Sequence, residues 1–206
     1  MKLKTMKKAL FIVCIMLLST IGVQSQSYMR SYDHHDFQIG YGMFTPDQFM
    51  NVNSTMLDEQ FPEKRYVRDN YSGTGALFLT YRHVGKNENW MWGVTAGASA
   101  NTSKIYNVGQ YGGELKRTFI TAAFEGEYRY RNQGVVQLYS GLGLGYTYGT
   151  ETLTTPEQIT STGNISTIGY QINVIGVRLG TKYAGFAEFG FGYKGIINIG
   201  FSVQWF

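Results

Sequence analysis

Six charged residues are candidates for chemistry because each occupies an alternate position in a segment whose other phase is apolar: Arg82, Glu125, Glu127, Arg129, Arg178 and Glu188. This spacing places all six on the inner side of a closed sheet, where opposite charges should pair because an unpaired buried charge is costly. We predict a structural plug in which Glu188 and Arg178, which flank one short turn, form the main pair. The alternative is a proton or ion relay, or a gate.

Groups that could act in catalysis or bind a metal are few. His34 and His35 lie close to the predicted mature N-terminus, and His83 lies at a strand end. No serine or carboxylate is placed beside a histidine at a shared depth, as nucleophilic catalysis would require. The His34-His35 pair has no third ligand nearby, so a solvated linker is favoured over a metal site. The sequence therefore predicts no catalytic residue, no cofactor and no metal site.

The elements that must position the six charges are strands, and the pattern is clearest at the C-terminal end. Ala187, Phe189, Phe191 and Tyr193 alternate with small or polar residues, and the same alternation runs from Ile197 to Trp205. A period of two predicts strands with one apolar and one polar face. The apolar face is too aromatic for a water-exposed surface, and the polar face is too rich in glycine and charge for a core. A bilayer outside and a lumen inside satisfy both faces.

Eight such segments predict an all-β protein, an eight-stranded antiparallel up-and-down transmembrane β-barrel. The first six segments span about 36–44, 74–83, 90–102, 117–131, 135–149 and 167–180, and the two C-terminal strands complete the set. The sixth segment changes phase, which predicts a β-bulge near Ile175 or Gly176. Short connections at 84–89, 131–134 and 181–184 alternate with long polar ones at 45–73, 103–116 and 150–166. This alternation predicts periplasmic turns, extracellular loops and two periplasmic termini.

The depth of the apolar residues agrees with a membrane-spanning barrel. Tyrosine, tryptophan and phenylalanine cluster at both ends of the strands, with aliphatic and small residues between them. Two aromatic girdles around an aliphatic band mark the two interfaces of a bilayer. Seven glycines should point into the loop-side half of the lumen: Gly40, Gly42, Gly141, Gly143, Gly145, Gly190 and Gly192. Either a small cavity opens there or aromatic side chains such as Tyr139 and Phe78 fill the space, and packing is the favoured alternative.

The N-terminal region predicts export. Four lysines precede an apolar run from Ala9 to Leu18 that is too short to span a bilayer, and cleavage is expected after Ser25. We predict a signal peptide at 1–25, a periplasmic linker at 26–35 and the barrel at 36–206. The chain has 18 basic and 14 acidic residues, so losing the four signal lysines leaves 14 of each. The mature chain is then neutral and lacks the single cysteine, Cys14, so no nucleic-acid partner and no disulfide is expected.

The first long connection contains one ordered piece. Thr45 to Gln48 forms a capping box with proline at the first helical position, and Phe44 with Phe49 could form a hydrophobic staple. Phe49, Val52 and Met56 follow at helical spacing. We predict a short amphipathic helix on the outer rim, with its apolar face packed on the rim or on lipid.

The tract at 63–69 is mixed in charge and is most simply a solvated loop. The alternative is that Lys64, Arg65 and Arg68 contact lipopolysaccharide phosphates. Together with Phe49, these three residues are the candidate outer-loop contacts, through which an extracellular ligand could also bind.

Three C-terminal segments, Gly176–Gly180, Gly185–Gly195 and Gly200–Phe206, resemble the small eight-stranded bacterial outer-membrane barrels of the OmpA/OmpX-like group, more narrowly the Bacteroidetes-type β-barrel family. The resemblance implies a monomer in outer-membrane lipid and lipopolysaccharide, without a wide pore, inserted by the barrel assembly machinery. The expected assembly signal comprises Phe201, Val203, Trp205 and Phe206, where Trp205 keeps the outward phase and Phe206 lies one residue beyond it.

The function expected from these features is a non-enzymatic structural or surface-interaction role, with the lumen plugged by paired charges. The alternatives are a narrow channel for small or apolar solutes, an accessory role in envelope secretion, and modification of lipid A.

Overall fold

The structure is a computed structural model that describes residues 34–49, 54–86, 89–133 and 135–205. The predicted signal peptide, most of the predicted linker and Phe206 lie outside these residues. The described part forms eight strands and two short helices. The strands are β1 His34–Met43, β2 Tyr66–Val84, β3 Trp90–Asn107, β4 Gln110–Gln133, β5 Val136–Thr154, β6 Thr160–Gly180, β7 Tyr183–Gly192 and β8 Ile197–Trp205. The helices are α1 Pro46–Phe49 and α2 Thr55–Gln60, and neither has the length or the apolar character to cross a membrane.

The strands close into one antiparallel barrel in which each strand pairs with the next and β8 returns to β1. The closing register runs from His35 opposite Trp205 to Met43 opposite Ile197. Apolar side chains such as Ile120, Leu142 and Leu144 are more than 60% exposed on the outside, whereas their sequence neighbours point inward. This inverted arrangement, apolar outside and polar inside, is that of a barrel whose surrounding solvent is lipid. The predicted fold class, with a helix in the first long connection, is confirmed.

The predicted bulge lies in β6. Pairing with both neighbouring strands shifts between Asn173 and Ile175 or Gly176. Val174 and Ile175 are consecutive and both exposed, so Gly176 and Arg178 return to the lumen. The extra residue restores the alternation with the opposite phase, as the sequence pattern requires.

One end of the barrel, here termed the loop end, is built differently from the prediction. Most of the expected loops at 103–116 and 150–166 are strand, and β3 turns into β4 at Val108 and Gly109, which both have positive φ. Strands β2 to β6 therefore continue past the ends of β1, β7 and β8 as a five-stranded extended sheet. Positive φ at both central residues is the geometry that a tight hairpin needs.

β1 begins at His34, two residues before the predicted start of the barrel. His34 lies opposite Val84 and is 1% exposed, so it belongs to the lumen and not to a solvated linker. His35 points outward. Both residues lie at the end of the barrel opposite the loop end, which we term the turn end. His35 Nδ1 lies 2.7 Å from the Tyr81 hydroxyl, and the His35 ring lies 6.0 Å from the Trp205 ring. His35 is thus part of the aromatic belt at this end of the barrel.

Candidate functional site

The centre of the lumen contains a network of five charged side chains. Arg82 donates to Glu127 at 2.5 Å, to Glu188 at 3.2 Å and to Glu125 at 3.4 Å. Lys194 Nζ lies 2.7 Å from Glu125 and 3.6 Å from Glu188. No member is more than 3% exposed. We term this cluster the central network, and it brings together four of the six charges singled out in the sequence.

Hydroxyl and amide groups complete the central network. Tyr139 donates to Glu188 at 2.9 Å, and Tyr193 donates to Glu125 at 2.7 Å. A side chain at Gly143 would collide with the Tyr193 hydroxyl, and one at Gly176 would collide with the Tyr139 ring. These glycines thus provide the space that the aromatic rings occupy, so the favoured alternative of packing describes this part of the lumen.

Tyr193 and Lys194 differ from their predicted positions. The alternation places Tyr193 on the outer face and Lys194 at the tip of a tight hairpin, but the side chains are buried, at 8% and 1% exposed. β7 ends at Gly192, whose φ of 143° turns the chain inward. The Lys194 backbone then donates to the Gln171 side chain at 2.9 Å. The connection between β7 and β8 is therefore folded into the lumen, where its lysine neutralises carboxylates.

The predicted pair between Glu188 and Arg178 is replaced by other contacts. Arg178 lies opposite Phe186, two residue pairs beyond Gly176–Glu188. Its Nη2 donates to the Thr181 carbonyl at 2.9 Å, so the side chain runs toward the turn end. Arg178 Nε donates to Ser202 at 2.6 Å and lies 3.7 Å from Asp36. Asp36 was not among the predicted lumen charges because it stands at the first position of the predicted strand, where no alternation precedes it.

Arg129 occupies the level below Glu127 on β4. Its side chain is 1% exposed, and Nη2 lies 2.7 Å from the Met91 sulfur. Arg178, Ser202 and Asp36 form what we term the Arg178–Asp36 cluster. Together with this cluster, Arg129 occupies the turn end of the lumen.

A second network, here termed the loop-end network, closes the other end. Asp47 accepts from Arg117 at 2.7 Å and from Arg68 at 3.1 Å. Glu151 accepts from Arg117 at 3.0 Å and from Ser54 at 2.5 Å. The Arg68 side chain is 2% exposed, so it is unable to reach lipopolysaccharide phosphates as the sequence interpretation suggested. Its position on the inner face of the extended part of β2 explains the difference.

The two helices lie inside the mouth of the extended sheet. Met56 and Leu57 of α2 pack against Ile105, Leu115 and Leu153, all at most 6% exposed. The apolar helix face is therefore turned into the barrel and not toward the rim or lipid. We term residues 44–49 and 54–65 the helical plug, because the loop-end network and this apolar cluster fix it across the lumen.

Local contacts define the helix ends. The Thr45 backbone donates to the Gln48 side chain at 3.2 Å, which is one half of the predicted capping box. The other half is replaced by a backbone bond from Gln48 N to Thr45 O at 2.9 Å, and the Thr45 hydroxyl has no hydrogen-bond partner among the described residues. Ser54 caps α2 by accepting from Leu57 N at 3.0 Å. The predicted staple and the Phe49 contact involve a side chain outside the described part of the chain, as does Val52.

Lys64 and Arg65 remain on the surface of the helical plug. Lys64 Nζ lies 3.0 Å from Asp58 Oδ2, and this hydrogen bond lowers the pKa of Asp58 below its usual value. Of the three residues singled out in this tract, Arg68 is therefore buried, whereas Lys64 and Arg65 face solvent.

Within the described residues, no group of three or more histidine, cysteine, aspartate or glutamate side chains is arranged to hold a metal ion. The buried lumen side chains offer ion pairing and proton exchange. They occupy the lumen at three levels: the loop-end network, the central network and the level of Arg178 and Arg129.

Replacing Glu188 with glutamine tests whether the central network stabilises the barrel. Glu188 accepts from Arg82, Tyr139 and Asn198, and an amide has one oxygen with which to replace two. We expect the free energy of unfolding of the detergent-refolded barrel to fall by about 1–3 kcal/mol, which is measured as a lower melting temperature. Conductance in planar bilayers should stay absent because the helical plug is intact. A large gain in conductance would show instead that the network acts as a gate.

No protein-family model matches the chain, and no curated protein matches it in sequence. Among solved structures, the chain is similar to the crystal structure of Ail, the attachment invasion locus protein of Yersinia pestis. The two are 12% identical, the match covers 84% of this chain and 97% of that chain, and the TM-score is 0.42. At this level the likeness concerns the fold alone.

Proposed function

We propose that this protein is a bacterial outer-membrane β-barrel with a sealed lumen that acts through interactions at the cell surface. The exposed apolar band, the aromatic belts and the signal-peptide pattern support the location. The short turns, the start of β1 and the end of β8 lie at one end of the barrel, which we assign to the periplasm. The C-terminal pattern supports placement among the small OmpA/OmpX-like, Bacteroidetes-type barrels.

The filled lumen argues against a solute channel. The loop-end network, the central network and the Arg178–Asp36 cluster follow one another along the barrel axis, and their side chains are buried. A path for solutes would require several ion pairs to break together. Function is therefore expected on the surface of the barrel.

The observation that carries the proposal is the free edge of the extended sheet. Pairing between β6 and β7 ends at Gln171 opposite Gly192, whereas β6 continues to pair with β5 as far as Thr160. The Tyr170 carbonyl still accepts from Tyr193 N at 3.0 Å, so residues 160–169 of β6 present one row of main-chain groups without a neighbouring strand among the described residues. Edges of this kind bind extended segments of partner proteins by adding a strand to the sheet.

The two edges of the extended sheet differ in protection. The β2 edge carries charges between Glu63 and Asp69, and its pairing with β3 shifts twice. The β6 edge has no charged residue and no proline from Gln158 to Val177. Charges and bulges are the usual means of preventing unwanted strand pairing. The unprotected β6 edge is the surface that we propose for interaction with an extracellular ligand.

Other partners follow from the location. Outer-membrane lipid and lipopolysaccharide would surround the barrel, and Lys64 and Arg65 are exposed cations of the helical plug. Phe201, Val203 and Trp205 have the outward alternation expected of a signal for the barrel assembly machinery. We expect the protein to be a monomer.

Charged substitutions on β6 test the proposal. We expect a variant with Thr162→Lys and Ser166→Lys to lose adhesion to immobilised basement-membrane extract when displayed on bacterial cells, because lysine prevents strand addition at an edge. The matched control carries Thr118→Lys and Thr150→Lys. These positions are exposed on the same outer face, but they lie on β4 and β5, which have a neighbouring strand on each side. Heat-modifiable gel mobility monitors folding of all forms. Equal adhesion of the β6 variant and the control would contradict the assignment of the edge.

A further inference from the structure

The central network carries an excess of acidic groups. It contains three carboxylates, Glu125, Glu127 and Glu188, but only two cations, Arg82 and Lys194. The loop-end network, in contrast, pairs Asp47 and Glu151 with Arg68 and Arg117. A carboxylate in excess inside a closed lumen is costly. The next buried cation, Arg129, lies one level away toward the turn end, where its Nη2 contacts the Met91 sulfur.

One of the three carboxylates differs from the others. Glu125 Oε1 accepts from Thr95 and Tyr193, and its Oε2 accepts from Lys194. Both oxygens of Glu188 likewise have donors, Tyr139 on Oε1 and Asn198 on Oε2.

Glu127 uses only one of its oxygens. Its Oε1 accepts from Arg82 and from Asn173, whereas the buried Oε2 has no hydrogen-bond partner among the described residues. Glu127 therefore has a free oxygen atom at the position where the excess charge lies.

We propose that the central network binds one proton and that Oε2 of Glu127 carries it at neutral pH. Formation of the O–H bond neutralises the third carboxylate and leaves two carboxylates for two cations. A metal cation is disfavoured because Arg82 Nε and Nη1, which are buried without hydrogen-bond partners in the described structure, add positive charge to the same space. A proton needs only a single oxygen.

The surrounding groups make the bound proton sensitive to pH. The titratable or charged groups that surround Glu127 come from five parts of the chain: Arg82 of β2, Glu125 and Arg129 of β4, Tyr139 of β5, Glu188 of β7 and Lys194 of the following connection. The neighbouring contact from β6, Asn173, is neutral. At neutral pH this carboxyl is ionised in the unfolded chain, so folding takes up a proton and becomes less favourable as pH rises, until the proton has left the folded network. Once it has left, Glu127 repels Glu125 and Glu188. Because the three carboxylates interact, the proton belongs to the network as a whole and resides mainly on Glu127.

Infrared spectroscopy of the refolded mature barrel tests the proposal. We expect the wild type at neutral pH to show the carbonyl stretch of a protonated carboxyl group and the Glu127→Gln variant to lack it. The Glu151→Gln variant, which alters the balanced loop-end network, should keep the band. Absence of the band from the wild type, or its survival in Glu127→Gln, would overturn the proposal.

Thermal melting supplies a second readout. Glutamine resembles a protonated glutamate but takes up no proton on folding. Glu127→Gln should therefore melt at least as high as the wild type at neutral pH, and it should lose the fall in melting temperature that the wild type shows as pH rises above about 4.3, where the unfolded carboxyl ionises. An unchanged fall over this range would contradict the assignment to Glu127. A wild-type melting temperature that rises with sodium concentration, without a carboxyl band, would replace the proton with a bound metal cation.

Discussion

The Lys194→Met variant is expected to lose about 3–5 kcal/mol of stability, the typical cost of removing one partner from a buried ion pair. Lys194 lies 2.7 Å from Glu125 and 3.6 Å from Glu188, and its side chain is 1% exposed. Methionine retains much of the side-chain volume but leaves three carboxylates with Arg82 alone. The measurement is urea unfolding of the detergent-refolded barrel, followed by heat-modifiable gel mobility.

Lys182→Met is the matched control for this variant. Lys182 is an exposed lysine in the turn between β6 and β7, and surface substitutions of this kind usually change stability by about 0.5 kcal/mol or less. If Lys194→Met unfolded at the same urea concentration as the control, Lys194 would not be part of the stabilising network, and the inward turn at Gly192 would be in doubt.

Asp47→Asn is expected to release the helical plug while the barrel stays folded. Asp47 is the carboxylate shared by Arg68 and Arg117, and it also accepts from Asn101 at 3.2 Å. Its loss leaves buried arginine groups without their acceptor, at a local cost of about 3 kcal/mol. Because cleavage follows the population of the open form, trypsin should cut at Lys64 and Arg65 roughly 100-fold faster.

Glu114→Gln is the control for plug release. Glu114 forms an exposed pair with Lys116 at 3.8 Å, on the outside of the extended sheet, so its cleavage rate should equal that of the wild type. A wild-type cleavage rate in Asp47→Asn would mean that the apolar cluster around Met56 and Leu57 holds the plug without the ion pairs.

Much of the barrel is predictable because period-two alternation depends on lipid being outside. The lumen side of Arg82, Glu125, Glu127 and Glu188 follows from the apolar residues that flank them. The bulge in β6 follows in the same way, from a single change of phase. Wherever one face of a strand contacts lipid, that face must be apolar, so the alternation appears in the sequence.

The extended sheet and the plug are not predictable in this way. In the extended sheet the outer strand face no longer contacts lipid, and the inner face is covered by polar groups and one small apolar cluster. The threonine-rich residues of β5 and β6 therefore have no sustained apolar phase and resemble loops. Arg68 was assigned to solvent for this reason. The partner of Arg178 depends on strand register, and the inward turn at Tyr193 and Lys194 depends on backbone torsion at Gly192. The alternation of apolar residues predicts neither.

The most direct test of the proposed sealed lumen is single-channel conductance of refolded residues 26–206, the expected mature chain, in planar bilayers. Heat-modifiable gel mobility of the same sample shows that the barrel is folded. The filled lumen predicts a folded barrel without steady conductance, both in the wild type and in Asp47→Asn, since the central network seals the lumen independently of the helical plug. Reproducible openings of the wild type would contradict this account and would show that the buried charges line a path through the membrane.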